Sequence, residues 1–307
     1  MTNNRVKMNK IIVIGSSNTD MVVRSEHLPR PGESVVGGGF MMAGGGKGAN
    51  QAVAVARMGH RVIFAAALGD DMFGDAALSG YQRFGIDTSF IVRKDTPSGV
   101  ALIMVDSEGQ NSISVALGAN NALTIDDVLP ALEQIDAGDI VLLQLEIPMA
   151  TIEAVVAIAS AKGAKVILNP APAATVSENI LSKLYLITPN QTEAQTLTGI
   201  EVKDEVTANL AAQVLCSRGV DRVVITMGSL GAYLYEDGKG VIIPAKRVAA
   251  VDTTAAGDVY NGALCAALAE GMTLVEALNF ATKASAISVT RVGAQPSVPT
   301  REEVDNF

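Results

Sequence analysis

Residues 139–170 read DIVLLQLEIPMATIEAVVAIASAKGAKVILNP. A short apolar run, a stretch of helical length ending at Gly163, and a second apolar run together spell one strand, helix, strand unit. The apolar runs are nearly continuous rather than alternating, so both faces of these strands must be covered. That requirement describes a parallel sheet between two helical layers. The pattern continues through SENILSKL, YLITPN, TEAQTLTG, EVTANLAAQVLCSRG and RVVITMG, with Gly199 and Gly219 closing two further helices in the left-handed C′ manner. Upstream it is present in KIIVIG, ANQAVAVARMG and RVIFAAALG, and in a helical segment ending near Phe84. The expected fold is therefore α/β, a three-layer α/β/α arrangement.

Two stretches interrupt the alternation. Residues 21–45 are rich in Gly and Pro, and residues 98–118 read as a hairpin, GVALIMV and NSISVAL around DSEGQ. Together they are expected to form a small β-layer outside the main sheet, either a lid over the strand ends or an ordinary surface flap.

Bulk properties narrow the function. A chain of 307 residues holds one large core, so a single domain is expected. No apolar run reaches the roughly 20 residues of a membrane span: residues 140–159 are the richest, and Gln144, Glu146, Pro148 and Glu153 break them. The N-terminus lacks a secretory signal, so a cytoplasmic location is expected. The formal charge of −9, with no basic cluster, argues against nucleic acid as a partner. Cys216 and Cys265 lie in helical contexts without CxxC spacing and read as buried structural thiols. With His27 and His60 the only histidines, acid-base chemistry falls to carboxylates.

The strongest chemical signal is VDTTAAGDVYNGALCAALAEG, Val251 to Gly271. A strand is expected to end at Val251 and a helix to begin near Ala256. The tight turn between them can aim the N–H groups of Ala255, Ala256 and Gly257 at a phosphate. Asp258 then enters the first helical turn, either as a base for a hydroxyl proton or as a residue that only complements the helix dipole. DAGD at Asp136 to Asp139 warns that the tetrapeptide alone is weak.

The second signal is AGGGKGANQAVAVARMG, Ala43 to Gly59. It is not a P-loop, because Gly48 follows Lys47 and Met41 stands where the first glycine belongs. GSSNTD after the first strand likewise fails the dinucleotide fingerprint, with Ser17 and Asp20 in glycine positions. What remains is a glycine run permitting close approach of a ligand, Lys47 for an anion or hydroxyl, and Asn50 near a helix start, where it could equally be an N-cap.

These two regions, more than 190 residues apart and in this order, resemble the two signatures of the ribokinase, or PfkB, family of carbohydrate kinases. The likeness runs from Met8 through RPGES, LGDDMFG, QLE, NPAPA, TPNQTEA, TMGSLGAY and RVGAQPSVP, leaving residues 1–7 as an extension and Met8 as a possible start. The resemblance implies a sugar pocket of Asn18, Asp20, Gly46, Lys47, Asn50 and Glu146, completed by Asp258. It implies ATP near Asn190, Thr226, Gly228, Ser229, Gly231 and Thr282, with Gly257 at the transferred phosphate and Asn190 and Glu193 organising Mg²⁺. It further implies a K⁺ site from Asp252, Thr254, Ser288, Arg291, Gly293 and Ser297, phosphorylation of ribose at its 5-hydroxyl, and a homodimer paired through the lids. Val259, Tyr260 and Thr282 depart from the common Thr, Phe and His. A kinase of deoxyribose, another sugar or a nucleoside is the nearest rival, and a non-catalytic sugar sensor a more distant one.

Overall fold

The computed structural model describes residues 8–307; the expected extension, residues 1–7, lies outside the described residues. Among these, the strands are β1 (Ile11–Ile14), β2 (Asn18–Arg24), β3 (Phe40–Gly45), β4 (Val62–Gly69), β5 (Ile91–Lys94), β6 (Gly99–Val105), β7 (Asn111–Ala116), β8 (Ile140–Leu143), β9 (Lys165–Leu168), β10 (Leu186–Ile187), β11 (Arg222–Thr226), β12 (Ala232–Glu236) and β13 (Lys239–Ile243). The α-helices are α1 (Lys47–Arg57), α2 (Met72–Arg83), α3 (Ile125–Glu133), α4 (Met149–Ala161), α5 (Glu178–Leu181), α6 (Gln191–Thr198), α7 (Glu205–Ser217), α8 (Ala256–Ala269), α9 (Leu274–Ser288) and α10 (Arg301–Asp305).

Nine strands form the large sheet in the order β13-β12-β11-β10-β9-β8-β1-β4-β5. The strands from β11 to β5 pair in parallel with one another, and β12 and β13 are an antiparallel edge. Every residue of β1 and β8 is buried, as their continuous apolar sequence requires. Ile11 and Val13 join the core beneath α1, α8 and α9; Ile12 and Ile14 join the one beneath α3, α4 and α7. Adjacent residues on one strand thus feed opposite layers. Gly163, Gly199 and Gly219 all take positive φ after their helices.

Successive crossovers run outward in opposite directions from the boundary between β1 and β8. At such a switch point the loops leaving the strand ends diverge and open a crevice. Gly15 to Asn18 leave β1 there, and Gln144 to Glu146 leave β8.

The second sheet, ordered β3-β2-β6-β7, is stitched from the two interrupting segments, with β2 and β6 parallel and the outer pairs antiparallel. Its strands begin at Asn18, before the expected boundary at residue 21, because Asn18 already pairs with Gly45 and Gly99. By register, Val23, Phe40, Met42 and Leu102 share one face, and all four are exposed. The expected strand ending at Val251 is absent among the described residues. β13 stops at Ile243, and Val251 is held by its N–H donating to the carbonyl of Val289. Cys265 is buried as expected, whereas Cys216 is only partly covered; both thiols are free.

Candidate active site

The site grows from the N-terminus of α8. Ala255, its N-cap, sits in the left-handed region at φ 59°, ψ 11°. A β-carbon there costs energy, so surrounding structure must hold the turn. Two side chains grip its carbonyls: Ser285 Oγ donates to Ala256 O at 3.0 Å, and Asn261 Nδ2 to Gly257 O at 2.8 Å. Of the three expected N–H groups, that of Ala256 donates to Thr253 O within the turn. Those of Ala255 and Gly257 have no protein acceptor among the described residues and remain for an anion.

Asp258, only 6% exposed, follows in the first turn of α8. Asn50 Nδ2 donates to one carboxylate oxygen and Gln51 Nε2 to the other, both at 3.0 Å. Helix α1 reaches this close because Gly262 faces it: a β-carbon at 262 would lie 2.4 Å from Ala54 Cβ and 2.7 Å from Gln51 O. Burial pushes the Asp258 carboxyl upward from its ordinary pKa, while the Lys47 ammonium and the two amides pull it back. Lys47 answers in kind. Burial alone would lower its pKa, yet Asp258, Glu146, Glu193 and Asp20 together raise it, so the cation is kept.

Asp20, Lys47 and Glu146 lie within electrostatic reach of one another and of Asp258, and Asn50 reaches Asp258 by its hydrogen bond. Asn18 and Asp20 ride on β2 of the small sheet, and Asn120 Nδ2 fixes Asn18 by donating to its Oδ1 at 2.7 Å. Glu146 Oε2 accepts from Ser16 Oγ at 2.5 Å and from the Lys47 N–H at 3.0 Å, which ties the β8 loop to the start of α1. Gly46 at φ 87° makes the bend between β3 and α1 that a side chain would obstruct, since its β-carbon would lie 2.7 Å from Asn18 N. Asp20 is perturbed as well: burial first, then the charges of Glu146 and Asp258, push its pKa up to about 6. The Asn50 Oδ1 has no partner among the described residues, because its amide is turned toward Asp258. A donor is what it lacks.

Two cavities meet at Gly257. The smaller, about 220 Å³, is lined by Lys47, Asn190, Glu193, Ala255, Gly257 and Asp258 among others. The larger, about 780 Å³, runs past Asn190, Thr226, Gly228, Ser229, Gly231 and Gly257 to Thr282. Every residue expected near the nucleotide therefore lies on one continuous wall. Asn190 and Glu193 form the capping box of α6, with Asn190 Oδ1 accepting from the Glu193 N–H and Glu193 Oε2 accepting from the Asn190 N–H, each at 2.8 Å. Among the described residues no three His, Cys, Asp or Glu side chains converge as a metal cage.

The tail residues reach the turn from behind. Asp252 accepts from the N–H of Thr254 at 2.9 Å and of Gly293 at 2.8 Å, joining the two loops directly. Ser297 and Ser288 donate within their own turns, and Arg291 pairs with Glu303, so its charge is already answered. In contrast, the look-alike Asp136–Asp139 is structural: Asp139 is buried and accepts the Lys10 N–H at 2.8 Å.

Residues 8–301 match the model of the pfkB family of carbohydrate kinases. The chain belongs to this family. Among family relatives, a ribokinase of Haemophilus influenzae is 44% identical over 97% of both chains. A deoxyribokinase of Salmonella typhimurium is 34% identical over 97% of this chain and 98% of its own. The solved structure of Arabidopsis thaliana ribokinase complexed with ribose and ATP superposes with a TM-score of 0.90 at 32% identity, covering 97% of this chain and 98% of that one.

The sequence reading missed one group. Gln51, Gln144, Asn169, Thr188 and Asn261 are all buried, and all hydrogen-bond in a line beneath Asp258. For Gln144 and Asn169 the available signal was an amide immediately after an apolar strand, since a buried amide needs partners that only a site or another polar group can provide.

Proposed function

We propose that this chain transfers the γ-phosphoryl group of ATP to O5 of D-ribose, yielding ribose 5-phosphate and ADP. The observation that carries the reading is Asp258: a buried carboxylate held by two amide donors, at the junction of the sugar-side residues and the nucleotide cleft. Asp258 accepts the hydroxyl proton as the sugar oxygen attacks the γ-phosphorus. The Ala255 and Gly257 N–H groups, at the positive end of α8, meet the charge on the moving phosphoryl group. Lys47 supports it from the other side, and catalysis is mainly positioning and electrostatics. Asn18, Asp20, Asn50 and Glu146 hold the sugar hydroxyls.

Asn190 and Glu193 would hold Mg²⁺ at the smaller cavity. Their donor set suits an ion bound largely through phosphate oxygens and water, and Mg²⁺ would neutralise phosphate charge there. The loops of Asp252, Thr254, Ser288, Arg291, Gly293 and Ser297 offer oxygen donors suited to K⁺, with the Arg291 guanidinium turned away to Glu303. The same proposal treats residues 8–307 as one domain with its small-sheet lid, cytoplasmic, and dimeric through the exposed face of Val23, Phe40, Met42 and Leu102.

Deoxyribose is the second reading, favoured by the Salmonella relative. A coupled ADP-release assay with ribose, deoxyribose, fructose and adenosine decides. Ribose should give the highest kcat/KM, because the 2-hydroxyl partners are otherwise left unmatched; equal values for ribose and deoxyribose would remove the ribose assignment.

A further inference from the structure

Beneath the site runs a continuous line of buried hydrogen bonds. Gln144 Nε2 donates to Gln51 Oε1 at 2.5 Å. Gln51 Nε2 spends both protons, one on Asp258 Oδ1 and one on Asn169 Oδ1, each at 3.0 Å. Asn169 Nδ2 donates to Thr188 O at 3.1 Å, Thr188 Oγ1 to Asn261 Oδ1 at 2.6 Å, and Asn261 Nδ2 to Gly257 O at 2.8 Å. The line starts at the carboxylate and ends on the carbonyl of the phosphate-facing turn, passing the ends of β9 and β10, with Gln144 after β8 joining it at Gln51.

Gln51 is fully buried, and none of its polar atoms is available to a substrate. Each amide in the line has a fixed direction. Because the ionised Asp258 carboxylate can only accept, the Gln51 NH₂ is the end presented to it, and Gln51 Oε1 is left to accept from Gln144. An apolar side chain of equal size would fill the same space and pack α1 as well. What it would lose is the donor and the connection.

We infer that Gln51 is the positioning residue of Asp258, and that the line from Gln51 through Asn169 and Thr188 to Asn261 sets the carboxylate and the phosphate-facing turn in one register. The inference rests on the reading of Asp258 as the base. Gln51 lines neither cavity, so its removal acts through the two groups it donates to, Asp258 and Asn169.

The test is Gln51→Met, close in volume but without donors, measured beside Asp258→Asn and Thr188→Val. A charge-assisted hydrogen bond lost from Asp258 should lower kcat by about ten- to a hundredfold, while the dissociation constant of a non-hydrolysable ATP analogue stays at the wild-type value. The acid limb of the pH-rate profile should move to higher pH, because the ionised carboxylate loses a donor. The other ionisable groups facing Asp258 are Lys47 on α1, Asp20 on β2, Glu146 after β8 and Glu193 on α6, and all are unchanged in the variant. Should Gln51→Met not fold, Gln51→Glu keeps the shape and moves the same limb upward through like charge. Thr188→Val breaks the line in its middle, and its kcat effect should be less than multiplicative with that of Gln51→Met. Wild-type turnover in Asp258→Asn would overturn the base assignment itself. A dead Asp258→Asn beside a Gln51→Met enzyme with unchanged kcat and acid limb would overturn the role of Gln51, and fully multiplicative effects with Thr188→Val would overturn the line.

Discussion

Replacing Asp20 with Asn should make the protein more stable and a worse enzyme. In the folded chain, burial and the neighbouring charges of Glu146 and Asp258 raise the Asp20 pKa from 3.8 to about 6. A carboxyl with a raised folded pKa is one whose charge opposes folding. The penalty is absent below about pH 4, where both states are protonated, grows between about pH 4 and 6, where the unfolded group ionises and the folded one keeps its proton, and is complete above about pH 6. Two pKa units at 1.36 kcal/mol each give a penalty of about 3 kcal/mol at pH 7. Asp20→Asn keeps the shape and removes the charge, so its unfolding free energy in urea at pH 7 should exceed wild type by up to about that amount. The difference should shrink to nothing by pH 4. Meanwhile the ribose KM should rise strongly with ATP binding unchanged, since a carboxylate that accepts from two hydroxyls becomes an amide with one acceptor. Equal stability of the two proteins at pH 7, or a gap that persists on acidification, would refute the argument that Asp20 is held at a cost for the sugar.

Asp258→Asn should lower kcat by about two to four powers of ten with nucleotide affinity retained, as single-turnover and equilibrium binding measurements will show. Gly262→Ala drives a methyl group into Ala54 and Gln51 O, so it should destabilise by about 1–3 kcal/mol in chemical denaturation and lower kcat by displacing Asn50 and Gln51 from Asp258. Turnover should be higher in KCl than in an equal ionic strength of a bulky organic cation, and Asp252→Ala should abolish that difference along with much of kcat. Identical rates in the two salts would disconnect the Asp252 loop from any cation effect.

The three layers were legible because β1, β8 and β9 are apolar on both faces, a pattern that only a covered parallel sheet satisfies. The start of α8 was equally plain, since AAGD supplies small residues for the turn and an Ala/Leu-rich helical stretch, ALCAALAE, follows from Ala263. The strand expected before it was not there. Residues 244–250 contain Pro244 and lack the pairing partner that β12 gives β13, and propensity alone cannot see a missing neighbour. The lid boundary slipped for a similar reason: Asn18 to Asp20 look like a loop after β1 until Gly45 and Gly99 are found alongside. Gln51 and Asn261 were overlooked because each sits within a helix that reads as ordinary packing. Their meaning comes from partners 118 and 73 residues away.

The small sheet adjoins the main body where Asn18, Gly45 and Gly99 pair side by side, and Asp20 sits two residues further along β2. Lys47, Glu146 and Asp258 belong to the other body. In the proposed function a sugar gripped by both sets is a rivet through two plates, and the free energy that fastens it would also hold the angle between them. Substrate affinity and lid position are then a single thermodynamic quantity, so a substitution on β6 or β7, far from any hydroxyl, can change the apparent KM for sugar without altering one contact to it.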